Sequence, residues 1–133
     1  MSRLLWLCSV AAVAISVQAA DRPDRAAQFF DKRVAPILTK RCLGCHNQQL
    51  KNAGVSFMDR DSLLNGGSRG PAIVPGVPER SVMIDVLRHE GEVQMPPGQK
   101  LPAREIATLR EWIRRGAVWG TRLHFEADSK HRP

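Results

Sequence analysis

Apolar side chains in the segment from residue 26 to residue 41 recur at the spacing of a helix. They share one helical face, at positions i, i+4, i+7 and i+8: Phe30, Val34, Ile37 and Leu38. Pro36 interrupts this face, because proline lacks a backbone N–H and its ring clashes with the preceding turn. We therefore predict a kinked helix, or two short helices that meet near Ala35, leading directly into Cys42.

A second amphipathic pattern marks residues 103–115 as the clearest helix of the sequence. Its apolar residues stack at i, i+3 and i+7: Ile106, Leu109 and Ile113. Glu105 in the first turn suits the positive end of the helix dipole, and Gly116 is the expected terminator. No segment alternates apolar and polar residues long enough to predict a strand, so we expect an all-α fold.

Two shorter helices are predicted between these segments. Met83 and Leu87 form an apolar i, i+4 pair in a helix over residues 81–89, which places Met83 in the core. Asp59 or Asp61 suits the N-cap of a helix over residues 62–65, which Gly66 would end.

The stretch between those two helices, residues 66–78, contains four glycines and three prolines and predicts irregular backbone. It lacks the lysine and hydroxyl residues that end a phosphate-binding loop, so it does not predict nucleotide binding. A second irregular stretch, residues 92–102, precedes the last helix.

The chain of 133 residues has room for one domain. Residues 1–20 are typical of an export signal, with Arg3 before an apolar run and small residues at the end. We expect a mature domain over residues 21–119 and a polar tail, or a truncated linker, over residues 120–133. These features predict a periplasmic or otherwise exported protein, with membrane contact only through an uncleaved signal segment.

The formal net charge of +7 favours acidic binding partners. The basic residues are scattered along the chain, which is typical of a solvated surface, and export argues against a nucleic-acid partner.

The segment Cys42-Leu43-Gly44-Cys45-His46 carries the candidate chemistry, and three interpretations compete. A structural zinc site needs four ligands, usually from two cysteine-containing halves, and only one half is present. A thiol redox pair expects a strand and helix pattern around it, and no strand is predicted before Cys42. The third interpretation is one haem c attached through Cys42 and Cys45, with His46 on the iron, since C-x-x-C-H is the signature of that attachment.

A haem held by His46 has one further axial position, for which two residues compete. Met95 is favoured because it lies in a loop stiffened by Pro96 and Pro97, and a Met/His pair raises the reduction potential. His89 is the rival ligand, although a histidine at the end of a helix also suits the helix dipole.

Three stretches of the chain resemble the planctomycete-type domain of the class I c-type cytochromes: residues 34–46, 62–83 and 95–119. The resemblance implies a small helical domain wrapped around one covalently attached haem, with Cys42 and Cys45 as attachment sites and His46 and Met95 as axial ligands. It also suggests that the Pro71 carbonyl accepts the second N–H of the His46 ring, an outer contact that fixes ring orientation. The family often has a cap serine before the last helix, where this chain has Pro102.

The expected function is therefore electron transfer between redox partner proteins, without bond chemistry at the iron. Two alternatives stay open: a peroxidase-like site if Met95 leaves the iron easily, with Glu92 as the nearest acid-base group, and a haem-bearing N-terminal module of a larger exported enzyme.

Overall fold

The computed structural model describes residues 23–121 and residue 123. The predicted export signal and most of the predicted tail lie outside these residues. The described part is helical and contains no strand, which confirms the all-α prediction. In chain order its α-helices are α1 (Pro23–Phe29), α2 (Ala35–Arg41), α3 (Arg60–Asn65), α4 (Val82–Leu87) and α5 (Ala103–Arg114).

A π-helical turn, Phe30–Val34, joins α1 to α2. The Ala35 N–H donates to the Phe30 carbonyl, so the helix widens just before Pro36. This places Pro36 in the first turn of α2, where a missing N–H costs no helical hydrogen bond. The break that the sequence predicts near Ala35 is confirmed.

The core lies between this N-terminal helical segment and α5. Phe30 and Trp112 are fully buried, with ring centroids 5.6 Å apart, and the Trp119 ring packs against Phe30 at a tilt of 37°, with centroids 4.3 Å apart. The Trp112 Nε1–H donates to the Val118 carbonyl at 2.8 Å, so the indole is buried without an unpaired donor. α5 ends one residue before its predicted end, and Gly116 continues the chain at a φ of +99°.

The two short helices also follow their sequence signals. The Asp59 carboxylate accepts the Ser62 N–H at 2.7 Å, so α3 begins at Arg60, two residues earlier than predicted. α4 is shorter than the predicted helix, because His89 adopts a φ of +59° and turns the chain away from the helix axis.

The glycine-rich stretch after α3 needs its glycines for close backbone contacts. A Cβ atom on Gly67 would overlap the Ala53 carbonyl, and one on Gly66 would overlap the Gly70 carbonyl. This stretch therefore packs against the turn Asn52–Gly54, while Gly67 and Gly70 also border the cavity described below.

Packing continues past the predicted domain boundary at Trp119. The Thr121 N–H donates to the Asp31 carboxylate at 2.8 Å, and Leu123 is buried in the core cluster. None of the described helices has the length and apolar character needed to cross a membrane.

Candidate cofactor-binding site

A single cavity brings together the predicted site residues from two distant segments of the chain. It is a partly open cavity lined largely by apolar side chains, as cofactor pockets commonly are. Cys42, Cys45, His46 and Met95 all line it. Apolar side chains from α4 and α5 form much of the remaining surface, among them Met83, Val86, Leu87 and Leu109.

One side of this cavity is the histidine segment, which we define as residues 42–57. Helix α2 positions the beginning of the histidine segment, because the chain continues in helical turns beyond Arg41. The Cys42 and Leu43 N–H groups both donate to the Leu38 carbonyl, and the Cys45 and His46 N–H groups both donate to the Cys42 carbonyl. Cys42, Cys45 and His46 therefore follow one another around a single turn at the edge of the cavity.

Two buried residues hold this turn on the protein core. Leu43 is 0% exposed and belongs to the core cluster. Asn47, 5% exposed, donates from Nδ2 to the Leu43 carbonyl at 3.0 Å, and its Oδ1 accepts from the N–H groups of Gln49 and Leu50. Because each polar atom of the Asn47 amide is bonded, this polar residue is buried without an unsatisfied group.

The end of the histidine segment folds back and fixes the His46 ring. His46 Nδ1 lies 3.2 Å from the Val55 carbonyl oxygen. The Phe57 ring stacks on the imidazole, with centroids 4.9 Å apart and an interplanar angle of 17°. A carbonyl oxygen can only accept, so Nδ1 carries the proton and Nε2 keeps its lone pair for a metal.

This arrangement corrects the prediction made for Pro71. The Nδ1 partner is the carbonyl of Val55, whereas the Pro71 carbonyl accepts the Val82 N–H at 3.2 Å. The cause is the turn at Asn52–Gly54, which returns the chain to His46 and places Val55 nearest to the ring. Sequence reasoning missed Val55 and Phe57, although apolar residues directly after a polar loop indicate a return to the core.

The two cysteines differ in environment. Cys42 is half-buried, and burial raises the pKa of its thiol to about 12, while Cys45 is exposed. A reactive redox cysteine needs a lowered pKa, so the Cys42 environment disfavours the thiol redox interpretation. Across residues 23–121 and residue 123, no three histidine, cysteine, aspartate or glutamate side chains cluster in a way suited to a metal ion. The zinc interpretation therefore finds no set of four ligands in that part of the chain.

The other ligand candidates lie on the methionine loop, which we define as residues 88–97. The Met95 N–H donates to the Val86 carbonyl at 3.0 Å, and Met95 lines the cavity together with Pro96 and Pro97. His89 lies outside the cavity lining, and its Nε2 is 2.9 Å from the Met95 carbonyl oxygen. Of the two residues predicted to compete for the second axial position, only Met95 lines the cavity. Met83 is buried as predicted, at 4% exposed, and also lines the cavity.

Two arginines supply the positive charge at this cavity. The Arg41 guanidinium makes two hydrogen bonds to the Glu105 carboxylate, at 2.9 and 3.2 Å, which tie α2 to α5. Arg69 is exposed where the glycine-rich stretch borders the cavity. The donor set fits haem c: two thiols, an imidazole with a free Nε2, a thioether, apolar surface and a cation suited to a propionate.

The comparison with protein families gives one match at this site. Residues 42–99 match the family model described as planctomycete cytochrome C, PSCyt1. The matched segment begins at Cys42 and ends just after the methionine loop, so it also contains Cys45, His46, Pro71 and Met95. No curated protein and no solved structure matches the chain.

Proposed function

We propose that this protein is an exported monohaem cytochrome that carries electrons between redox partners. The match of residues 42–99 to the planctomycete cytochrome C family model supports a haem-binding cytochrome. The proposal adds the residues that hold the haem, the reaction and the location.

The observation that carries the proposal is the meeting of Cys42, Cys45, His46 and Met95 at one apolar cavity. In the proposed holoprotein, Cys42 and Cys45 form thioethers to the haem vinyl groups. His46 would bind the iron through the lone pair on Nε2, because Nδ1 is hydrogen-bonded to the Val55 carbonyl. The Met95 thioether is the second axial ligand.

The bound haem supplies a one-electron redox centre. With His46 and Met95 both on the iron, no coordination position is open for oxygen or peroxide, which favours electron transfer over bond chemistry. The peroxidase-like alternative receives less support, since Glu92 is exposed and does not line the cavity. The apolar lining of the site favours a high potential together with the Met/His ligand pair.

Export and partner choice follow from the rest of the chain. The signal-like residues 1–20 and the exported setting of C-x-x-C-H haem attachment support a periplasmic location. The net charge of +7 supports acidic redox partners, because opposite charge speeds the encounter of two proteins.

The decisive experiment is expression in a host that exports the chain and attaches haem. We expect an intact mass increased by one haem, a c-type absorption spectrum, and reversible one-electron reduction, with only slow uptake of carbon monoxide by the reduced protein. A colourless product at the mass of the polypeptide alone would contradict haem attachment. Rapid carbon monoxide binding would instead support the peroxidase-like alternative.

A further inference from the structure

The methionine loop contains a histidine whose contacts the electron-transfer proposal leaves unused. We propose that His89 is a positioning residue for Met95: its Nε2–H donates to the Met95 carbonyl and fixes the peptide that presents the thioether to the haem. This inference rests on the proposed ligation by Met95.

The first support is that Met95 is hydrogen-bonded through both of its backbone groups. Its N–H donates to the Val86 carbonyl at 3.0 Å, and its carbonyl oxygen lies 2.9 Å from His89 Nε2. A carbonyl can only accept, so His89 Nε2 carries the proton in this hydrogen bond. Val86 lies on α4 and His89 just beyond its end, so residues at the end of one helix bond both the N–H and the carbonyl of Met95.

The second support is the backbone of His89, which has a φ of +59°. This left-handed region is unfavourable for residues with a Cβ atom, although histidine occurs there more often than most. The conformation turns the chain just after α4 and brings the imidazole beside Met95. An unfavourable backbone persists where surrounding contacts over-determine it and is a recognised indicator of a functional constraint.

The third support is that the described side chains of the methionine loop have little apolar packing. Glu90, Gly91, Glu92 and Gln94 are exposed, so apolar packing does little to place them. The Gln94 amide donates to the carbonyls of His89 and Gly91, at 3.2 and 3.3 Å, and closes the turn that leads into Met95. Within the described chain, the His89 ring therefore supplies a side-chain hydrogen bond to the Met95 backbone.

A merely stabilising role for His89 makes a different prediction from a positioning role. Positioning acts on the iron, so its loss should change the haem spectrum and ligand exchange in a protein that still folds. Stabilisation alone should change only the resistance of the holoprotein to unfolding.

The test uses four holoprotein variants: His89→Ala, His89→Gln, His89→Gly and, as an exposed neighbour, Glu90→Ala. Three readouts report on Met95: the methionine-to-iron charge-transfer band of the ferric protein, the reduction potential, and the rate of carbon monoxide binding to the ferrous protein. For His89→Ala we expect a weaker band, a lower potential, and carbon monoxide binding roughly two- to tenfold faster, the effect of losing one hydrogen bond.

The other variants separate side chain from backbone. His89→Gln keeps an N–H donor and should recover part of the wild-type behaviour, whereas Glu90→Ala should match wild type. His89→Gly relieves the unfavourable φ but removes the donor, so it should resemble His89→Ala in all three readouts. Wild-type values for both His89→Ala and His89→Gly would overturn the inference.

Met95→Ala distinguishes failure of this inference from failure of the proposed ligation. If Met95→Ala leaves the band and the potential unchanged, Met95 is not the ligand and both proposals fall. If Met95→Ala abolishes the band while the His89 variants keep it at full strength, ligation stands and the positioning role falls.

Discussion

The histidine segment and the methionine loop each bring one proposed axial ligand to the same cavity, but they hold it differently. His46 follows a helix end that Leu43 buries in the core, and its ring is fixed by the Val55 carbonyl and by stacking on Phe57. Met95 lies in a loop that contains no buried residue, whereas the histidine segment contains five, and the N–H and carbonyl groups of Met95 are both hydrogen-bonded.

This contrast separates two tasks within one site. A segment anchored by buried side chains opens only when much of the domain unfolds, whereas a loop without buried side chains opens at a lower free energy. We therefore expect the histidine segment to control whether the holoprotein assembles and how stable it is. The methionine loop should control the electronic properties of the iron and its access to outside ligands.

The largest effects should come from deleting the two proposed axial ligands one at a time. His46→Ala should prevent normal haem assembly and leave little coloured protein, because it removes part of the attachment motif itself. Met95→Ala should assemble haem but lower the reduction potential by roughly 100 mV or more, a fraction of the span of about 0.8 V that axial ligands cover. Haem content per polypeptide and potentiometric titration measure the two outcomes.

Met83→Leu is the matched control for Met95→Ala, since Met83 supplies the other thioether at the cavity and is buried on α4. It should leave the potential close to wild type. If Met83→Leu lowered the potential and Met95→Ala did not, the ligand assignment would pass to Met83. Equal haem loss in His46→Ala and Met95→Ala would abolish the distinction between the two segments.

A smaller effect should appear when one apolar side chain is shortened in each segment. Leu43→Ala removes a fully buried side chain and should lower the free energy of unfolding by about 2–5 kcal/mol. Val93→Ala shortens a half-buried side chain on the methionine loop and should cost about 1 kcal/mol or less. Denaturant unfolding of the two holoproteins, followed by far-ultraviolet circular dichroism, gives both values. A larger loss for Val93→Ala would show that the loop belongs to the core.

The same contrast explains how much of the molecule the sequence predicts. The helices around Pro36, Asp59 and Gly116 were predictable because a missing donor, a capping carboxylate and a terminating glycine each act on neighbouring residues. The motif around Cys42 was equally visible. Met95 was identified as a candidate only in combination with that motif, since a methionine alone is typical of a core.

The contacts that sequence reasoning missed are those made through the backbone. Any residue has a carbonyl, so nothing in the side chain of Val55 marks it as the partner of His46, and the prediction for Pro71 was wrong for the same reason. His89 was predicted as a rival ligand or as a histidine at a helix end. Its contact with Met95 depends on the left-handed turn at His89 itself, which the local sequence does not indicate.

The smallest predicted effect is a pH-dependent change in stability that arises on α5, outside both the histidine segment and the methionine loop. Glu111 on α5 accepts hydrogen bonds from Arg114 and Arg115, which lower the pKa of its carboxyl from 4.5 to about 2. A carboxyl with a lowered pKa in the folded state stabilises the fold above its unfolded pKa, and that contribution fades as pH falls toward 2. Because the Glu111 side chain is 32% exposed, solvent screening limits the contribution to about 1 kcal/mol or less.

Glu111→Gln should therefore lower the free energy of unfolding slightly at pH 6, and the gap from wild type should shrink as the pH is brought from 4.5 toward 2. The charge-transfer band of the ferric protein should be the same in both proteins across that range, because Glu111 lies outside the histidine segment and the methionine loop. A gap that widened on acidification would contradict the sign of the linkage. A change in the band would show that α5 transmits surface charge to the iron, and the separation of stability from ligation would then fail.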